Sequence, residues 1–206
     1  MSQFGSDYYL RGKEMGLSLY ENYTWRPEMT EPAAQAVIDM LHPSPGETIL
    51  DYGCARGYLV RALRARGVSA WGLDISEWAT GEGADEEAGI YLSTQLGQET
   101  YDFLVAKDVF EHIPELVRLL VHLSPRILRG ALIVVPLTEV NGGAYIEPDE
   151  EKDVTHCVRL SAFGWLVLLR AAWPIWDWTM TYRVPGIKDH RFMSKGYGFF
   201  IGKAPR

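Results

Sequence analysis

Short apolar runs of strand length alternate along this chain with longer stretches whose apolar residues recur at helical spacing. The runs Thr48-Ile49-Leu50, Val68 to Leu73, Ile90-Tyr91-Leu92, Phe103 to Ala106 and Ala131 to Val135 predict five strands. The Trp- and Thr-rich segment Ile175 to Arg183 predicts a sixth, and Tyr197 to Ile201 a seventh. Ala131 to Val135 is almost wholly apolar, as a central parallel strand buried on both faces requires. A helix is predicted over Pro27 to Leu41, where Ala33, Ala36, Val37, Met40 and Leu41 share a face, with Thr30 as its cap and Pro32 in its first turn. Others are predicted from about Gly57 to Arg66, from Glu77 to about Ala84, through Leu116, Leu119, Leu120 and Leu123, and from the cap Ser161 through Leu166, Leu169 and Arg170. Strands alternating with helices predict an α/β fold with a mostly parallel sheet.

The first 27 residues break the alternation. They hold Tyr8, Tyr9, Tyr20, Tyr23 and Trp25 but no long apolar period, and predict an aromatic arm. Either its rings pack on the domain surface, or it closes over a site as a lid that excludes water. Residues 28–206 read as one domain.

The chemistry concentrates in the turn after the first strand, Asp51-Tyr52-Gly53-Cys54-Ala55-Arg56-Gly57. A strand that ends in small residues and re-enters a helix offers free backbone N–H groups to a ligand. A dinucleotide fingerprint would need a glycine where Tyr58 stands. Asp51 would repel a pyrophosphate but suits an ammonium or sulfonium group. Asp74 follows the second strand, at the position from which a carboxylate grips ribose hydroxyls. A ribose, a positive charge and no phosphate together describe S-adenosylmethionine.

The run ILDYGCARGYLVRAL resembles motif I of the class I S-adenosylmethionine-dependent methyltransferases, with Ala55 in place of the middle glycine. GLDIS, Gly72 to Ser76, resembles motif II. YDFLVAKDVFEHIPE, Tyr101 to Glu115, resembles the fourth-strand segment of the small-molecule, methyltransferase type 11/23-like branch. The resemblance implies a Rossmann-like three-layer sandwich whose seven-stranded sheet is parallel except for an antiparallel last strand. It implies that Asp51, Gly53, Cys54, Ala55 and Gly57 hold the methionine part of the cofactor, Asp74 the ribose, Ile75 one wall of the adenine slot, and Asp108 the crevice floor. The Asp that often follows the third strand in this family is replaced here by Ser93-Thr94-Gln95. Glu111 and His112 are expected to sit under the cofactor as a structural pair.

DVTHCVRLS, from Asp153, resembles a further family segment. His156 is the candidate base for an acceptor hydroxyl, with Asp153 fixing its tautomer; alternatively the two bond only each other and the loop backbone. The irregular stretch Thr138 to Asp153 is rich in acidic side chains. It could hold Mg²⁺ or form a solvated flap. The flap is preferred because no catechol-type ligand pattern surrounds it, and no metal is expected.

Composition narrows the partners. A net charge of −7 disfavours nucleic-acid backbones. Cys54 and Cys157 form no disulfide framework and suit a reducing cytoplasm. No apolar stretch reaches the roughly 18 residues of a membrane span, and the N-terminus lacks a signal-peptide core. The expectation is a cytoplasmic enzyme, monomer or homodimer, that methylates a small-molecule acceptor such as a sugar or secondary metabolite. A methyltransferase-like module that binds cofactor or partner without turnover is the alternative. The basic residues Lys188, His190, Arg191 and Lys195 form either a surface loop or a contact for an anionic acceptor.

Overall fold

The computed structural model describes residues 3–83, 92–93, 96–188 and 195–205. Seven strands form one sheet: β1 (Thr48–Tyr52), β2 (Ser69–Leu73), β3 (Leu92–Ser93), β4 (Tyr101–Lys107), β5 (Ile127–Pro136), β6 (Asp177–Thr181) and β7 (Tyr197–Lys203). Their order is β3-β2-β1-β4-β5-β7-β6. β1 lies parallel to β2 and β4, and β4 to β5, while β7 runs antiparallel to both its neighbours. This is the expected Rossmann-like sheet with its antiparallel last strand.

The period-two alternation of strand side chains sorts the core into two layers. Ile49, Ala70, Phe103, Val105, Leu132 and Val134 face α3 (Pro27–Leu41) and α4 (Tyr58–Ala65). Leu50, Leu104, Ala106, Ile133 and Val135 face the opposite way, onto α6 (Leu116–Leu123) and α7 (Ala162–Ala172). Ala131 to Val135 is fully buried, as its unbroken apolar run requires. The predicted cap Ser161 is the N-cap of α7, accepting from the Gly164 N–H.

Several boundaries differ from the sequence expectation. α3 spans Pro27–Leu41 as expected, but its N-cap is Arg26 rather than Thr30. Proline at the first helical position gives up only an N–H that has no helical partner, and Pro32 is carried inside the helix. β6 is trimmed to Asp177–Thr181. The third strand is described only as Leu92–Ser93; Ile90, Tyr91, Thr94 and Gln95 lie outside the described residues, as do Ala84 to Glu87 of the acidic stretch and His190 and Arg191 of the basic loop. α5 spans Glu77–Gly83. Among the described residues no helix is long and apolar enough to cross a membrane.

The arm folds into α1 (Ser6–Leu10) and α2 (Gly12–Met15) and lies across the ends of the parallel strands. Ser76 Oγ donates to the Phe4 carbonyl at 2.6 Å, the Val154 N–H reaches the Leu17 carbonyl at 3.2 Å, and Tyr8 Oη donates to Asp153 Oδ2 at 2.7 Å. Tyr8 and Tyr9 are buried, and Tyr9 stacks on Trp78 of α5 at 5.2 Å between centroids.

Candidate active site

β1, β2, β4 and β5 all present their carboxyl ends to one edge, so the residues that follow them meet there. After β1 the chain turns through three left-handed residues: Gly53 (φ 79°), Ala55 (φ 47°) and Gly57 (φ 70°). For Ala55, which has a Cβ, that conformation costs about 1–2 kcal/mol, and the surroundings hold it. The Gly53 and Cys54 N–H groups donate to the Leu73 carbonyl at 2.6 and 3.0 Å, and the Ala55 N–H donates to Asp74 Oδ2 at 2.7 Å. Asp74 Oδ1 accepts from the Ser76 N–H at 2.8 Å. Asp74 therefore clamps the motif I turn to the start of α5, a task the sequence did not announce. Gly53 faces Val109, and a Cβ there would collide with the valine side chain.

A cavity of about 1150 Å³ runs along this edge. Asp51, Gly53, Cys54, Ala55, Asp74, Ile75, Asp108, Asp153 and His156 all line it. Gly57 and Glu111 do not line it; the Gly57 N–H bonds the Cys54 carbonyl at 2.9 Å and closes the turn from behind. Ile75 presents its side chain openly, 66% exposed.

Charge is distributed unevenly in the cavity. Burial pushes the Asp51 carboxyl up to about 7; nearby Lys107 pulls it down and Asp74 pushes it up further. A buried carboxylate so poorly compensated favours a cationic ligand. The residues thus fit the α-ammonium group of S-adenosylmethionine. Asp108 is the opposite case. Its burial disfavours charge, but Lys107 at 2.7 Å and Lys188 at 3.0 Å hold it well below the usual carboxylate range. Asp108 lines the cavity, and its two oxygens are engaged by lysines.

At the far end stand Glu111, His112, Glu150, Asp153 and His156. The expected Asp153–His156 side-chain pair does not form. Asp153 Oδ1 accepts from the Thr155 N–H and hydroxyl at 2.9 and 2.5 Å, while Oδ2 takes the Tyr8 hydroxyl. The arm has occupied the carboxylate that the sequence assigned to the histidine. His156 Nδ1 is instead held by the Glu150 carbonyl at 2.9 Å. His112 Nδ1 lies 2.6 Å from Thr155 Oγ1, and the two imidazoles are 4.5 Å apart between centroids. Burial lowers both histidines, His112 to about 4, with His156 lowering it further, so both are neutral at physiological pH.

The acidic stretch is tied down rather than a free flap. Tyr145 is buried, its N–H bonds Glu151, and Arg159 grips both oxygens of Glu151 at 2.7 and 2.9 Å. Glu150 is buried and accepts from the Tyr197 hydroxyl. Sequence reasoning missed Tyr8, Lys107, Glu150 and Tyr197 as lining residues. Only the tyrosine-rich arm carried a signal for one of them, since a buried hydroxyl must find a partner.

A family model described as a methyltransferase domain matches residues 25–168. The chain belongs to this family. The methyltransferase also resembles solved structures at low identity, which reports the fold. Magnesium protoporphyrin IX methyltransferase from Synechocystis PCC 6803, with bound S-adenosylmethionine, is 18% identical, with 97% of this chain and 94% of that chain covered and a TM-score of 0.63. A SAM-dependent methyltransferase from Archaeoglobus fulgidus is 16% identical, with 86% and 94% covered and a TM-score of 0.64. These are class I S-adenosylmethionine-dependent folds, and this methyltransferase shares their architecture. A curated relative, the ribosomal protein L11 methyltransferase of Neisseria gonorrhoeae, is 40% identical over 68 residues, which span 30% of this chain and 23% of that protein.

Proposed function

We propose that this methyltransferase transfers the methyl group of S-adenosylmethionine to a hydroxyl of a small molecule, a sugar or secondary metabolite in character. One observation carries the reading: a single cavity joins the Asp51–Asp74 end, suited to a cation and a ribose, to a pair of neutral imidazoles. Bound there, S-adenosylmethionine supplies an electrophilic methyl group. Asp51 and the wall of the Gly53–Ala55 turn, whose N–H groups are already bonded to Leu73 and Asp74 rather than free as the sequence suggested, hold its methionine part, Asp74 accepts from the ribose, and Ile75 covers the adenine. His156, its Nδ1–H fixed by the Glu150 carbonyl, turns Nε2 to the acceptor hydroxyl. Asp153 acts at one remove, through Thr155 and Tyr8. The arm (residues 1–27) serves as the lid that excludes water and aligns the two substrates. The net charge of −7 and the cavity suit a small acceptor better than a nucleic acid.

The test is incubation of the purified chain with methyl-labelled S-adenosylmethionine and a panel of hydroxylated sugars and phenols, read by mass spectrometry. Label in a methyl ether supports the reading. Tight cofactor binding with no label in any acceptor, nor in a cell extract, supports the non-catalytic module instead.

A further inference from the structure

Three side chains converge at the acceptor end of the cavity in a way the methyl-donor site does not use. Glu111, His112 and His156 bring one carboxylate oxygen and two imidazole nitrogens within 4.8 Å of one another. Glu111 and His112 come from the 3-10 turn Phe110–His112 after β4, and His156 from the loop before α7. The Cys157 and Val158 N–H groups donate to the Glu111 carbonyl at 2.8 and 2.9 Å, which locks the two segments together.

Hydrogen bonds determine the tautomers. The Glu150 carbonyl can only accept, so His156 Nδ1 carries the proton. The Thr155 hydroxyl spends its hydrogen on Asp153 Oδ1, so it accepts from His112, whose Nδ1 is also protonated. Both Nε2 atoms therefore keep a free lone pair. An imidazole whose other nitrogen is pinned to a carbonyl, or through a hydroxyl to a carboxylate, has the outer contacts typical of a metal-ligating histidine. Glu111 is fully buried, and among the described residues neither of its carboxylate oxygens has a hydrogen-bond partner. A carboxylate in that state is costly unless a proton or a cation joins it. His112 and His156 line the cavity, so a cation held by the three would keep open positions toward the acceptor.

We propose that Glu111, His112 and His156 bind one divalent first-row transition cation, of the Zn²⁺ or Mn²⁺ kind, which takes the acceptor's hydroxyl oxygen as a further ligand. Two imidazoles and one carboxylate favour such a cation over Mg²⁺ or Ca²⁺, which prefer all-oxygen sets. The inference deepens the methyl-transfer reading and rests on it for the identity of the acceptor, not for the binding of metal. A hydroxyl on the cation is acidified and gives its proton to water. The resulting alkoxide lone pair forms the new C–O bond to the methyl carbon. The C–S electron pair returns to sulfur, and the sulfonium becomes a neutral thioether. No redox change occurs. His156 then acts as a ligand rather than a free base, and Asp153 is a positioning residue that orients His112 through Thr155.

The experiment uses the full chain without a polyhistidine tag, stripped with chelator and titrated separately with Zn²⁺, Mn²⁺ and Mg²⁺ by calorimetry. S-adenosylhomocysteine binding is measured in parallel. One equivalent of Zn²⁺ or Mn²⁺ is expected, with Mg²⁺ at least tenfold weaker. Glu111→Gln and His156→Ala should each weaken that binding at least tenfold while keeping affinity for S-adenosylhomocysteine, and His122→Ala, on the exposed face of α6, should change neither. Wild type that binds S-adenosylhomocysteine but no stoichiometric transition metal overturns the metal site and leaves the donor site standing. Failure to bind S-adenosylhomocysteine sinks the methyl-transfer reading instead. If the variants do not fold, X-ray absorption of the Zn²⁺-loaded wild type decides: scattering from two imidazoles is expected, and its absence overturns the site.

Discussion

At the scale of single residues, the proposed donor site turns on Gly53 and Asp51. Gly53 combines a left-handed backbone with the Val109 side chain in the space a Cβ would need. Gly53→Ala therefore meets two penalties, about 1–2 kcal/mol of backbone strain and about 1–3 kcal/mol of overpacking. Urea unfolding should show a loss of about 2–5 kcal/mol from the two together. Val109→Ala in the same chain should return the packing share and leave the strain. Asp51 makes the site sensitive to pH. Its carboxyl is raised to about 7 by burial, against the pull of Lys107 and with the push of Asp74. A raised carboxyl stabilises the apo fold fully below its unfolded value, near 4, and that contribution fades as the pH climbs through about 7. Asp51→Asn should leave stability at pH 4 nearly unchanged and raise it at pH 8 by a few kcal/mol, measured on the apo protein. A bound α-ammonium prefers the ionised carboxylate, so wild-type affinity for S-adenosylhomocysteine should rise from pH 5 to pH 8. A flat profile would remove Asp51 from the donor site.

At the scale of elements, the arm depends on one buried hydrogen bond. Tyr8→Phe keeps the ring packing of α1 but removes the hydroxyl that satisfies Asp153 Oδ2. An unsatisfied buried acceptor costs about 1–3 kcal/mol. Hydrogen exchange over residues 6–23 should therefore speed up about tenfold or more, while the amides of β1, β4 and β5 stay protected. Equal acceleration in the sheet would mean that the arm and the domain open as one unit. The same bond shows where sequence reasoning stopped. Period-two and helical spacing sufficed for the order of the elements and for the sheet edge, because burial on one or two faces writes itself into the local pattern. Asp51, Gly53 and Asp74 were legible for a related reason: a tight turn and the carboxylates around it are short-range features. The partners of Asp153 were not. Tyr8 and Asp153 lie 145 residues apart, and no local spacing encodes which of several polar groups will claim a buried carboxylate. Proximity in sequence suggested His156, and the arm took that place. The acidic stretch misled for the same reason, since Arg159 and Tyr197 neutralise or bond carboxylates that look solvated in isolation.

At the scale of the whole molecule, the cavity links the arm, the sheet edge and the loop before α7, so a ligand seated there should stabilise all three together. A ligand that binds only the folded state adds about 2.7 kcal/mol at one hundred times its dissociation constant. For a chain of this size each kcal/mol moves the melting temperature by about 2–4 °C. Saturating S-adenosylhomocysteine should therefore raise Tm by about 5–10 °C, in a single cooperative transition that includes the arm. NAD at the same concentration should not, because its diphosphate would lie against the buried carboxylate of Asp51 and because Tyr58 occupies the place of the glycine that a dinucleotide turn requires. In Asp51→Asn the shift with S-adenosylhomocysteine should disappear, since the amide offers the α-ammonium no charge. Differential scanning calorimetry of the two proteins with the two ligands separates the outcomes: a comparable shift with NAD, or a shift that survives Asp51→Asn, would show that something other than attraction of a cation to this carboxylate selects the ligand.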